Sequence, residues 1–151
     1  MEYLSSDSVR LSEDEKSVVI IDQTKLPNET EYLTLSEADE LYDAIKLLKV
    51  RGAPAIGIFA GYSMYVLSLG IDTDDRSVFL NKLKEYAAFL DGSRPTAVNL
   101  SAATKRIVKA AEEEKNLSVK EMREKIKRTA VAIHEEDIEM CRKISEYGLL
   151  L

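Results

Sequence analysis

One segment of this 151-residue chain, Ala55 to Leu67, is apolar on nearly every side, and this property constrains the fold more than any other feature. A helix that is hydrophobic all round is stable in water only when other elements cover it. Pro54 directly precedes the segment and suits the first helical position, where its missing N–H would have no intrahelical partner. The sequence therefore predicts a helix at the buried centre of a folded domain.

Further helices are predicted around this centre from apolar residues spaced three and four apart. Ser36 with Asp39, and Ser118 with Glu121, have the spacing of capping boxes. Four such helices are predicted. The first starts at Ser36, and the second begins after Asp74 and ends at Asp91-Gly92. The third runs from about Ala97 to Glu114, and the fourth from Ser118 to a stop at Gly148. The residues expected to face the core are Leu41, Ile45 and Leu48; Phe79, Leu83, Tyr86, Ala87 and Leu90; and Met122, Ile126, Thr129, Ile133, Met140 and Ile144.

The chain before Ser36 has the composition of β-strands. Val18 to Ile21 is a β-branched run that follows a polar turn, and Val9 to Leu11 is placed to pair with it as a hairpin. Tyr32 to Leu35 is a third predicted strand. The predicted fold class is therefore α+β, with a small antiparallel N-terminal sheet followed by a helical bundle of about five helices.

Composition narrows the range of partners. The chain carries 27 acidic and 21 basic residues, a net charge of −6, which argues against broad salt-driven binding to nucleic acid. Cys141 is the single cysteine, so no intrachain disulfide is expected. We interpret this residue as part of the core. His134 is the single histidine, and Glu135 to Asp137 are interpreted as a solvated helix face, so no metal site and no cofactor are expected.

The same sequence indicates a compartment. No stretch approaches the roughly 18 apolar residues that a membrane helix needs. Met1 to Arg10 is polar and has no signal-peptide pattern. We therefore expect a cytoplasmic protein with no membrane association.

Two loops stand out as candidate binding sites, because each places an arginine just before a helix start. Arg51 and Gly52 precede the central helix, whose N-terminal N–H groups and partial positive charge suit a phosphate. Arg94 lies in a rigid X-Pro loop before the next predicted N-terminus, with Ser93, Thr96 and Asn99 as nearby donors. On composition alone, an ordinary helix start whose arginine pairs with a carboxylate is the favoured interpretation of the first loop. The second loop has the same alternative, a helix start capped by Thr96, and spacing alone does not show that the two loops meet.

Three blocks of the sequence resemble a known family. The segments VRGAPAIGI (Val50–Ile58) and SRPTAVNL (Ser93–Leu100) are similar to signature blocks of the methylthioribose-1-phosphate isomerases. Ile21 to Pro27 resembles the same family's N-terminal block. These enzymes share a superfamily with the regulatory subunits of initiation factor 2B and with ribose-1,5-bisphosphate isomerases. The resemblance covers essentially the whole chain, but only the N-terminal part of the family's usual length.

The resemblance implies an architecture and a reaction. Family members have an N-terminal α+β domain joined by a long helix to a Rossmann-like C-terminal domain, and they interconvert an aldose 1-phosphate and a ketose 1-phosphate in methionine salvage. Carried onto this chain, the N-terminal domain spans residues 1–117, the connecting helix spans 118–148, and 149–151 begins a truncated strand. By the same resemblance, Arg51, Gly52, Ala53 and Arg94 bind the substrate and its phosphate.

The catalytic residues implied by the resemblance are not in this chain. The family's catalytic cysteine and aspartate belong to the C-terminal domain, and Cys141 lacks the sequence context of that cysteine. We therefore expect the substrate-binding half of a sugar-phosphate isomerase, inactive alone, acting as a homodimer or with a complementing C-terminal chain. The alternative is a non-catalytic assembly or phosphosugar-binding module like the initiation factor 2B subunits.

Overall fold

A computed structural model describes residues 8–151. Seven of the ten residues used for the signal-peptide prediction, 1–7, lie outside this range. The described part contains three strands, β1 (Val9–Leu11), β2 (Val18–Ile21) and β3 (Tyr32–Leu35). It also contains five α-helices, α1 (Ala38–Lys46), α2 (Ala53–Leu69), α3 (Arg76–Asp91), α4 (Val98–Glu112) and α5 (Val119–Leu149). The predicted α+β class, with a small sheet followed by five helices, is confirmed.

The sheet is antiparallel, with β2 in the middle. Val9 lies opposite Ile20, and Val18 lies opposite Leu35. Because alternate residues of a strand share a face, Val18 and Ile20 present one apolar surface together with Val9 and Leu35. All four side chains belong to the hydrophobic core, so this face of the sheet is covered by the helices.

Helix α2 lies at the centre of the domain, as its sequence predicts. Every residue from Ile56 to Ser68 is buried, and the helix packs against β1, β2 and all the other α-helices. Gly57 lies next to the start of α4, since a Cβ at this position would be in ordinary van der Waals contact with the backbone oxygen of Asn99, at 3.5 Å. The start of α4 is therefore held directly against the second turn of α2.

Helix α1 departs from the prediction at both ends. Its N-cap is Glu37 instead of Ser36, and the Glu40 carboxylate accepts hydrogen bonds from the N–H groups of both residues at 3.2 Å. The capping box is therefore one residue later than expected. Leu48 was expected to face the core but is 41% exposed, because the helix ends at Lys46 and the chain turns at Leu48 with a φ of 58°.

Helix α5 begins as predicted. Ser118 is its N-cap, and its hydroxyl accepts a hydrogen bond from the N–H of Glu121 at 3.1 Å. Met122 and Ile126 are fully buried. The first half of this helix is thus part of the domain core, while the division of the chain at residues 117 and 118 stays a prediction.

The second half of α5 contradicts three predictions. Met140 and Ile144 were expected to be buried but are 60% and 65% exposed, and Cys141 is also exposed instead of lying in the core. The helix continues through Gly148 to Leu149, so residues 149–151 do not begin a strand. The apolar periodicity was read correctly as helical, but every residue from Ile138 to Leu151 is exposed.

The sequence predicts no membrane-spanning helix. No helix within residues 8–151 is both long enough and apolar enough to cross a bilayer.

Candidate functional site

The first candidate loop ends at the N-terminus of α2. Gly52 is the N-cap, and its φ of 94° and ψ of 131° lie in a region that residues with a Cβ rarely adopt. Its carbonyl accepts a hydrogen bond from the N–H of Ile56 at 2.9 Å. The helix begins at Ala53, one residue before the predicted start, so Pro54 takes the second helical position. The N–H groups of Ala53 and Ala55 come before Ile56, the first intrahelical donor, so they have no acceptor within the helix and point out of its end.

The third sequence block, Ile21 to Pro27, is hydrogen-bonded to the backbone just before this loop. Gln23 lies in a short 3-10 helix, Gln23–Lys25, and its N–H donates to the carbonyl of Lys49 at 2.8 Å. Asp22 caps that helix, and hydrogen bonds from the hydroxyl and N–H of Thr24 lower the pKa of its buried carboxyl group. This block therefore fixes the backbone that leads into Arg51.

The second candidate loop forms a turn before α4. The N–H of Ala97 donates to the carbonyl of Arg94 at 3.0 Å, and Ala97 is the N-cap. Two expectations about this loop are wrong. Thr96 is not the cap, and α4 has no side-chain cap at all. Ser93 is buried, and its hydroxyl donates to the carbonyl of Leu90, so it faces away from any ligand.

The two loops meet at one pocket of about 440 Å³, here called the α2–α4 pocket. Three of the four predicted binding residues, Gly52, Ala53 and Arg94, line it together. The fourth, Arg51, is exposed and does not line it. The rest of the lining is Ile56, Thr96, Ala97, Val98 and Asn99.

Sequence reasoning missed Ile56 and Val98 as lining residues. Ile56 follows Ala53 by three positions and therefore lies on the same face of the helix. Helical periodicity could have predicted it as a lining residue. Val98 is the first residue of α4, which begins one residue after the predicted start. The sequence therefore did not indicate that Val98 lies at the helix end that faces the pocket. Both are apolar, so the wall of the α2–α4 pocket is more hydrophobic than the motifs alone suggest.

The two helix ends at this pocket differ from the other three. At the N-termini of α1, α3 and α5, backbone N–H groups donate hydrogen bonds to the side chains of Glu40, Asp75 and Ser118. Neither α2 nor α4 has such a bond. Orphan N–H groups and the positive ends of two helix dipoles therefore face one pocket. Arg94 is the charged residue in its lining, which contains no carboxylate, although the chain as a whole is acidic.

The arginines divide into two groups. Arg76 and Arg123 donate to backbone carbonyls, and Arg106 forms a bidentate pair with Glu136, so their guanidinium groups are occupied. The guanidinium groups of Arg51 and Arg94 make no hydrogen bond or ion pair with another residue of the described range 8–151. Both can therefore engage an anion without breaking an interaction within that range.

The acidic residues of α5 and Cys141, which the sequence analysis also considered, lie outside the α2–α4 pocket. Glu136 pairs with Arg106 at 2.7 Å. Within the part of the chain that the structure describes, no group of three or more histidine, cysteine or acidic side chains could hold a metal ion. Cys141 lies on the exposed half of α5 and does not line the α2–α4 pocket.

Comparison with known proteins gives consistent similarities. The model of the initiation factor 2 subunit family matches residues 49–151. A methylthioribose-1-phosphate isomerase of Parabacteroides distasonis is 49% identical over 143 residues, which are 95% of this chain and 43% of that protein. A 5-deoxyribose 1-phosphate isomerase of Clostridium botulinum is 43% identical over 139 residues, which are 92% of this chain and 40% of that protein.

Solved structures give the same result. The 5-methylthioribose 1-phosphate isomerase of Pyrococcus horikoshii superposes with a TM-score of 0.82 at 36% identity, covering 87% of this chain and 36% of that one. The delta subunit of the translation initiation factor eIF-2B of A. fulgidus superposes with a TM-score of 0.86 at 39% identity, covering 95% and 41%. The chain thus spans 40–43% of the two curated relatives and 36–41% of these structures.

Proposed function

The chain belongs to the initiation factor 2 subunit family, and from that membership we propose that it is the substrate- and phosphate-binding half of an aldose–ketose sugar-phosphate isomerase. Its relatives include proteins named as sugar-phosphate isomerases. The proposed substrate is 5-methylthioribose 1-phosphate, which the complete enzyme converts to 5-methylthioribulose 1-phosphate. A cytoplasmic site of action is part of this proposal.

The observation that carries the proposal is the pairing of two uncapped helix N-termini at the α2–α4 pocket. A phosphate has several oxygens that accept hydrogen bonds, and backbone N–H groups at helix N-termini donate to them without a side-chain entropy cost. Arg94 adds a charged donor from the second loop. Gly52 and Ala53 bring backbone within reach of the ligand, and Arg51 binds from the rim.

Binding alone does not isomerise the sugar. The carbon that carries the phosphate is locked as a glycosyl phosphate, so the reaction needs an acid/base group in a shielded site. We assign that chemistry to a complementing C-terminal chain. A homodimer is proposed as the alternative assembly of the binding half, and it would add no acid/base group that one chain lacks. Pure chain should therefore give no turnover of 5-methylthioribose 1-phosphate, and detectable ketose formation would overturn this assignment.

The binding proposal is tested by titrating the pure chain with inorganic phosphate and following the backbone amides by NMR. Gly52, Ala53 and Val98 should shift together, with a dissociation constant on the order of millimolar, since the site is one-sided. Arg94→Ala should weaken binding by about 10- to 150-fold, because a hydrogen bond to a charged group contributes roughly 1.5–3 kcal/mol. Arg128→Ala is the control, since Arg128 is an exposed arginine that lies outside the pocket.

A second function is favoured by the similarity to the A. fulgidus delta subunit. On that alternative, the same fold serves in assembly, as a non-catalytic or phosphosugar-binding module. Unchanged phosphate affinity in both Arg51→Ala and Arg94→Ala would favour assembly. A loss confined to these two variants favours the isomerase half.

A further inference from the structure

A cavity of about 430 Å³ lies between α4 and α5, and its lining shares no residue with the α2–α4 pocket. We refer to it as the α4–α5 groove. The charged residues that line it, within the part of the chain that the structure describes, are Arg106, Lys109, Lys125, Arg128 and Glu113. Basic side chains thus dominate this groove although the chain has a net charge of −6. Neither the sequence motifs nor the proposed phosphate site makes use of it.

Ion pairs lie at both ends of the α4–α5 groove. At one end, the guanidinium group of Arg106 on α4 donates two hydrogen bonds of 2.7 Å to the carboxylate of Glu136 on α5. At the other end, the ammonium group of Lys125 on α5 lies 3.6 Å from the carboxylate of Glu113, the C-cap of α4. It also lies 3.0 Å from the carboxylate of Glu114. Both of these cations are therefore balanced by carboxylates of the same chain.

The two cations between these ion pairs are not balanced in this way. Lys109 lies on α4 between the residues that form the two pairs, and Arg128 does so on α5. Both are exposed, and the side chain of neither forms a hydrogen bond or ion pair with any residue from 8 to 151. This includes Glu124, which lies four positions before Arg128 at the spacing of a helical ion pair. The middle of the groove therefore has two positive charges without a bonded carboxylate from the described chain.

This arrangement is suited to a short ligand with two adjacent anionic groups. Like charges that line one groove repel each other, and an anion between them replaces the repulsion by attraction. The planar guanidinium group of Arg128 can donate two hydrogen bonds to one phosphate group, and the ammonium group of Lys109 can contact the next as a compact charge. A longer polyanion is disfavoured, because its further charges would meet the carboxylates of Glu113 and Glu136 at the two ends.

We propose that the α4–α5 groove is a second anion site, which binds a diphosphate group through Lys109 and Arg128. The site goes beyond the proposed function and does not depend on it, since its lining and that of the α2–α4 pocket have no residue in common. A bound diphosphate contacts α4 and α5 together, so it stabilises the packing of these two helices. Free pyrophosphate and nucleoside diphosphates both contain this group, and the experiment distinguishes them.

The test is a titration of the full chain with inorganic pyrophosphate, followed by the backbone amides in NMR spectra. Ionic strength is held constant, because added salt screens exposed charges and would shift signals without binding. The amides of Lys109, Arg128 and Thr129 should shift together, with a dissociation constant on the order of millimolar, since the groove is open to solvent. A second titration uses ADP: the same shifts assign a nucleotide as the source of the diphosphate, and a response to pyrophosphate alone assigns the free anion.

Variants of the two central cations test the assignment. Lys109→Gln and Arg128→Gln should each weaken the binding of pyrophosphate by about tenfold or more, as expected when a hydrogen bond to a charged group is lost. Lys105→Gln is the matched control, because Lys105 is also an exposed lysine of α4 but lies outside the groove. Arg128→Glu supplies the missing carboxylate from the chain itself. It should raise the urea midpoint in the absence of anions and abolish the response to pyrophosphate.

The contrary outcomes are specific to this groove. Pyrophosphate that leaves the amides of Lys109 and Arg128 unmoved overturns the proposal, and the wild-type titration gives this answer even where Arg128→Glu does not fold. Unchanged affinity in both glutamine variants also overturns it. So does equal weakening by Lys105→Gln, which would indicate a general effect of surface charge. The α2–α4 pocket is judged separately, from the response of Gly52 and Ala53 to inorganic phosphate, which should persist in all of these variants.

Discussion

The hydrogen bond between Tyr62 and His134 gives a sharp test of how α2 is held against α5. The Tyr62 hydroxyl lies 2.6 Å from Nδ1 of His134, and its ring is 6% exposed. Burial, together with the nearby charge of Glu135, raises the pKa of Tyr62 to about 12. Tyr62→Phe removes the hydroxyl and leaves the ring, so the variant isolates the hydrogen bond and the ionisation.

The direction of the pH effect follows from the raised pKa. An unfolded tyrosine ionises near pH 10. Below that value Tyr62 is neutral in both states, and its hydrogen bond contributes its full share, about 1 kcal/mol. Between about pH 10 and 12 the unfolded chain loses the proton but the folded chain keeps it, so stability falls as pH rises. The total loss across that window is about 2.7 kcal/mol, at roughly 1.36 kcal/mol for each pH unit.

Tyr62→Phe should therefore change its rank with pH. At pH 8 the variant should be less stable than the wild type by about 1 kcal/mol. At pH 11 the wild type should have lost about 1.4 kcal/mol through Tyr62, so the two chains should be nearly equal or reversed in order. Urea unfolding followed by circular dichroism at both pH values measures the difference, in which the titration of all other groups cancels.

The control is Tyr147→Phe, because Tyr147 is 70% exposed on the outer half of α5. It should change stability by less than about 0.5 kcal/mol at either pH. A stability difference between wild type and Tyr62→Phe that stays constant from pH 8 to pH 11 would refute the reasoning. Such a result would mean that Tyr62 ionises equally easily in the folded and unfolded chain.

Three other predictions concern single residues. Gly52→Ala should lower the free energy of unfolding by roughly 1–2 kcal/mol, because alanine is strained at positive φ. The effect is one of backbone strain alone, since nothing lies within 4 Å of the new Cβ. Equal urea midpoints would contradict this prediction. Arg123→Met should cost about 2–3 kcal/mol, since Arg123 donates to the carbonyls of Ser68 and Ile71 at the end of α2. The same unfolding assay measures it, and a loss below 0.5 kcal/mol is the contrary result. Cys141 should react with a thiol reagent as fast in the native chain as in urea, because it is exposed; protection in the native chain would contradict its position.

Local sequence signals predicted most of the elements. The all-round apolar run placed α2, and the Ser118–Glu121 spacing placed the start of α5, because both depend on residues within one or two turns. Caps were less predictable where neighbours compete. Glu37 took the position expected for Ser36, since Glu40 reaches the N–H groups of both residues.

Burial was predicted only where the covering element was already known. The stripe on α5 is buried at Met122 and Ile126, against α2 and α4, but Met140 and Ile144 continue the same periodicity into solvent. Cys141 was placed in the core for the same reason and is exposed. Periodicity specifies which face of a helix is apolar, and it carries no information about whether another element lies there.

The candidate site divides in the same way. The sequence by itself determined that Arg51 and Arg94 each precede a helix start, because proline, glycine and apolar periodicity act within a few residues. Only the tertiary structure decided that Gly52, Ala53 and Arg94 line one pocket and that Arg51 does not line it. The physical reason is helix packing: α2 and α4 lie against each other, with Gly57 next to Asn99 at the start of α4, and this contact joins loops that are distant in sequence.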